Sequence, residues 1–227
     1  MRVYFDRSQP YGIRVQPWDE AGYAEGGRYY DFRKDPGLIP EVLEDFVPLA
    51  GYEAVQQFYD LLRWMNGPDS PYETNDSRLR APRENRQRDL ADKAVVRDGM
   101  LMFFFRDLPL NLSADSVAWS ARYQRYLVDQ HEVKPTPNPF LLRFAQRCVE
   151  EMSKINPDSL TDCVGVQFMP AIFLHAPVSE DDKYGNQVVL RFWVWGDTDE
   201  EVMGNLTHTV AAISSCLRTV AAEQPRQ

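Results

Sequence analysis

The side chains of this sequence best suited to proton transfer, nucleophilic attack or soft-metal binding are three histidines and three cysteines. His175 is the most suggestive of them. It closes a strand-like run just ahead of the loop 176–187, and it would need Cys163, Arg191 or an acid of Glu180-Asp181-Asp182 to orient it as a general base. No spacing ties any of these groups to it. His131 follows a helix-like segment, where a helix C-terminus favours a cation, and His208 falls inside a helical stripe. Gly-x-Ser-x-Gly, Gly-x-x-x-x-Gly-Lys, Gly-x-Gly-x-x-Gly, Cys-x-x-Cys and His-Glu-x-x-His are all missing from the sequence. The reading is therefore no catalytic residue, no metal site and no cofactor. An enzyme or small-ligand site assembled around His175 is the alternative.

The acidic and aromatic residues suggest contact, not catalysis. Asp69, Glu73 and Asp76 sit in the polar loop 66–76, without the alternating acids and turn glycine of a calcium loop. Side chains of these types usually cap their own backbone. Their functional use would be to touch a partner. Glu180, Asp181 and Asp182, with Tyr184 beside them, mark the exposed tip of a long strand connection, a second contact candidate. Asp197, Asp199, Glu200 and Glu201 have a structural explanation, since acids at a helix N-terminus offset its dipole. Trp193 and Trp195 share one strand face with Arg191. They are core if that face is covered and a binding hot spot if it is open. Arg78, Arg80, Arg83, Arg86 and Arg88 form either an anion-binding patch or a solvated connector. Glu84, Asp89 and Asp92 interrupt them and no aromatic is interleaved, which favours the connector and speaks against nucleic acid.

Composition narrows the classes further. The 227 residues carry 34 acids and 25 Lys and Arg, a net charge of −9 spread over both halves. That sign disfavours nucleic-acid binding and favours a basic protein partner. The longest apolar run, Met100 to Phe105, is far short of the roughly 20 residues of a membrane helix. Residues 1–7 contain no signal-peptide core. Cys148, Cys163 and Cys216 are odd in number and widely spaced, which predicts reduced thiols and a cytoplasmic location. The profile is that of a non-catalytic protein-binding module, an inhibitor or immunity-type protein that blocks a basic partner. Oligomeric state is not legible.

The elements that must position these residues read as follows. Short strands are expected at Arg2 to Phe5 and Gly12 to Gln16, paired with each other across Pro10-Tyr11, in a segment whose many tyrosines would cover a sheet or form a contact surface. Helices are expected at 40–47, 52–65 and from Ser113 or Ser116 to Gln130. Another begins at Asn138-Pro139 and ends by Asn156-Pro157. Asp98-Gly99 between two strand-like runs predicts a two-residue type I′ hairpin. Strands are expected over 163–174 and 188–195. Thr198 to Glu201 fits a capping box that opens a last long helix. Strands and helices come in groups, which predicts an α+β fold: a mainly antiparallel sheet with helices packed on it, in two or three layers. One domain over 1–227 is expected, with 77–92 as the alternative boundary.

Overall fold

The computed structural model describes residues 1–7, 14–16, 51–75, 77–88, 91–113, 135–173 and 183–223. Eight strands form one mixed sheet: β1 (Arg2–Phe5), β2 (Arg14–Gln16), β3 (Tyr72–Thr74), β4 (Arg78–Leu79), β5 (Arg83–Glu84), β6 (Val95–Phe105), β7 (Asp162–Phe173) and β8 (Lys183–Gly196). The order is β1-β7-β8-β6-β3, with β2 also on β7 and β4 and β5 also on β6. All pairs are antiparallel except β1 and β2, which run parallel to β7. The fold is α+β, as the grouping of elements predicts.

The long strands β6, β7 and β8 form the centre. Their alternation sends Leu101, Phe103, Val164, Val166, Leu190, Phe192 and Val194 to one face. There they pack with helices α1 (Glu53–Asn66), α2 (Pro139–Ser153) and α3 (Asp199–Ala222) into the main core. Tyr72 sits inside this core with its ring edge-to-face on Phe103, Phe105 and Phe144, and its hydroxyl donates to the Leu217 carbonyl at 3.2 Å. A second, smaller apolar cluster of Met100, Met102, Met169 and Val189 is buried on the opposite face.

Helix starts follow local chemistry. Asn138 Oδ1 accepts from the Leu141 amide at 2.9 Å and its amide nitrogen donates to the carbonyls of Leu110 and Leu112, so one side chain caps α2 and anchors the preceding chain. Thr198 Oγ1 accepts from the Glu201 amide at 3.2 Å, and Glu201 in turn accepts from the Asp197 amide at 2.8 Å. The capping box forms as expected, with the reciprocal bond one residue further back.

Three expectations are corrected. Asp98-Gly99 is not a turn: β6 runs straight through it, with no positive φ at either residue. Asp98 takes Arg80 and Arg83 on one side. On the other, the missing Cβ of Gly99 makes room for the Phe192 ring; a Cβ would also stand 2.8 Å from Leu79 Cδ2. The arginine-rich segment is not a solvated connector but carries β4 and β5, both hydrogen-bonded to β6. And β1 and β2 do not pair with each other; each adds separately to β7. The expected helices over 40–47 and 113–130 lie outside the described residues.

Candidate functional site

The register of the long strands sets out the face turned away from the helices as a series of rungs. Val96 stands opposite Trp195, and Asp98 opposite Trp193, with Cys163 and then Arg2 on its far side. The next rung places Arg78, Met100, Arg191, Gly165 and Tyr4 side by side. A Cβ on Gly165 would stand 2.8 Å from the Tyr4 ring, so the glycine lets that ring lie flat against the sheet, where it stays 43% exposed.

At one end of this face lies a groove of about 350 Å³. Its floor is Val96, Trp193 and Trp195, and its wall is the segment Arg83 to Gln87. Asn85 holds the wall in place. It is buried, donates to the carbonyls of Ala91 and Lys93 at 2.9 Å each, and accepts from the Gln87 amide at 3.0 Å. Arg83 and Arg80 add a second attachment, both pairing with the largely buried Asp98. Trp195 is buried, with the Arg2 guanidinium 5.5 Å from its ring centroid, whereas Trp193 is only half-buried.

The electrostatics of the groove differ from those of the whole chain. Arg83 and Arg86 line it together with Glu84; Arg80 shares Asp98 with Arg83, and Arg78 and Arg191 lie one rung further along the same face. The Arg86 side chain is 87% exposed, and its closest acid is Glu84 at 3.8 Å. Arg191 Nε is buried without a hydrogen-bond partner among the described residues. The charged side chains lining the groove are thus two arginines and one glutamate, a small local excess of positive charge within a protein of net charge −9.

Cys163 shares this face, and burial, with Asp162 adding to it, pushes its thiol up despite Arg2 nearby. A thiol held neutral is a poor nucleophile. Tyr4 is likewise raised, first by burial and then by Cys163 and Asp6.

The residues singled out from the sequence fall in several places. Trp193 and Trp195 come together at the groove. Asp69 is exposed just before β3 and Glu73 is half-buried within it, at the opposite end of β6 from Trp195. Tyr184, expected at an exposed tip, lies in β8 opposite Ile172 and is buried, because β8 begins at Lys183 and its alternation turns Tyr184 inward. His208 is exposed on α3. Asp76, His131, His175, Glu180, Asp181 and Asp182 lie outside the described residues. No group of three metal-ligating side chains occurs among the described residues, nor is any of their helices long and apolar enough to cross a membrane.

The alternation of Arg191, Trp193 and Trp195 pointed to the floor, and the arginine run 78–88 held two wall residues, Arg83 and Arg86, as a candidate anion patch set against a solvated connector. What the sequence did not show is that Asn85 fixes this wall over the tryptophans, because its partners lie further along the chain.

The chain matches no family model, no curated protein and no solved structure.

Proposed function

We propose that this chain is a non-catalytic protein-binding module of the inhibitor or immunity type, acting in the cytoplasm to block a basic partner. The observation that carries the reading is the groove, where the half-open Trp193 lies beside Arg83 and Arg86. Trp and Arg are the residue types enriched where interface binding energy concentrates. Its floor is built on two long central strands, and a rigid floor lowers the ordering cost of binding. The net charge of −9 supports a basic partner at long range. Asp69, exposed before β3 at the far end of β6, is one acid that could meet it.

The test is capture of partners from the native host on the immobilised chain at low salt, followed by elution in rising salt and mass spectrometry. The expected outcome is one dominant basic protein released by salt. Its complex should weaken at least about tenfold when Trp193 becomes Ala. A bait that retains no protein at low salt would refute the reading.

A further inference from the structure

We infer that the groove over Trp193 and Trp195 receives an acidic segment of the protein partner, one that sets an aromatic or aliphatic side chain on Trp193 and carboxylates on the surrounding guanidinium groups. The inference rests on the protein-binding reading and specifies the chemistry of its contact. Complementarity requires opposite potentials at each point of an interface, not only opposite net charges. The match for an acidic protein with a basic groove is a basic protein with an acidic protruding segment.

Three features select this occupant. The floor is apolar and aromatic, with Trp193 half-open, so an apolar anchor gains burial there. The cations at the rim are arginines, whose planar forks suit carboxylates. They are also unevenly neutralised. Arg80 and Arg83 share the single carboxylate of Asp98, and among the described residues Arg86 meets only the exposed Glu84, at 3.8 Å. A cationic occupant would have to approach these arginines.

A random peptide library displayed on phage, panned against the whole chain, tests the inference. The dominant peptide is then synthesised and titrated, with tryptophan fluorescence and calorimetry as readouts, against wild type, Arg86→Glu and Trp193→Ala. Enriched peptides should be net acidic with an aromatic or aliphatic residue among the acids, and each substitution should weaken binding about tenfold or more. Because the Arg86 side chain is 87% exposed, Arg86→Glu tests the groove without disturbing the core. A basic or neutral pool, no enrichment above blank, or equal affinity for Arg86→Glu would overturn the inference. The lysate capture separates the two claims. A partner held as tightly by Arg86→Glu as by wild type ends the groove assignment and leaves the protein-binding reading standing. A bait without any partner ends that reading itself.

Discussion

Arg97 is the residue least at ease in this fold. It is fully buried on the helix-facing side of β6. Nη1 donates to the Met203 sulfur at 2.8 Å, and Nε and Nη2 have no hydrogen-bond partner among the described residues. Burial pulls its guanidinium down to about 10, against the opposing pull of Tyr59 and Asp98. A base whose proton is held less tightly when folded destabilises the fold at every pH below that value. The cost is relieved only as pH rises from about 10 towards the ordinary, higher guanidinium value. Neutralising it by substitution is the practical experiment. Arg97→Met should stabilise the protein by about 1–4 kcal/mol, seen as a higher urea midpoint with unchanged slope. A lower midpoint would mean that the guanidinium is satisfied in a way these contacts do not display. Asn85 has the opposite character, since all its polar contacts hold the groove wall. Asn85→Ala should cost about 1–3 kcal/mol and should speed amide exchange in residues 83–88 well before it affects β7.

At the scale of the element, the sheet shows where local sequence signals succeed and fail. The caps at Asn138 and Thr198, and the alternation in β7 and β8, were legible because their causes lie within a few residues. Asp98-Gly99 was misread because its causes do not: the Phe192 ring on one side and two arginines on the other come from distant strands. Gly99→Ala should therefore destabilise by about 1–3 kcal/mol through overpacking against Phe192 and Leu79, although alanine suits an extended backbone. If it were neutral, the close packing there would be relaxed in solution. The start of α3 responds to pH. Lys93 hydrogen-bonds both Asp197 and Glu201, at 2.7 and 3.0 Å. Asp197 is held below its ordinary 3.8 chiefly by Lys93, and Glu201 below its ordinary 4.5 by the Asp197 amide and then by Lys93. Acids depressed in the folded state add stability that is present above those ordinary values and is lost as pH falls through the depressed ones. Lys93→Met should flatten that acid limb of the stability–pH profile while leaving the neutral plateau nearly level, as a series of urea melts would register.

For the whole molecule, the α+β class was legible from the grouping of strands and helices. The arginine cluster was visible too, but not that β4 and β5 set it beside Trp193 and Trp195, since that placement depends on pairing with β6. The sheet topology was also only partly legible. Strands as short as β1 and β2 carry too few side chains to specify a partner, and parallel addition to β7 leaves no hairpin turn in the sequence to announce it. That topology bears on how the protein is made. Residues 2–5 are translated long before residues 163–166, their sheet neighbours. At about 5–20 residues per second, the opening strand waits on the order of ten seconds before its template exists. β1 therefore stays unpaired with β7 until β7 has been translated. Refolding should accordingly be slow for the protein's size, and an expressing cell lacking holdase chaperones should lose this protein to aggregation during synthesis rather than after it.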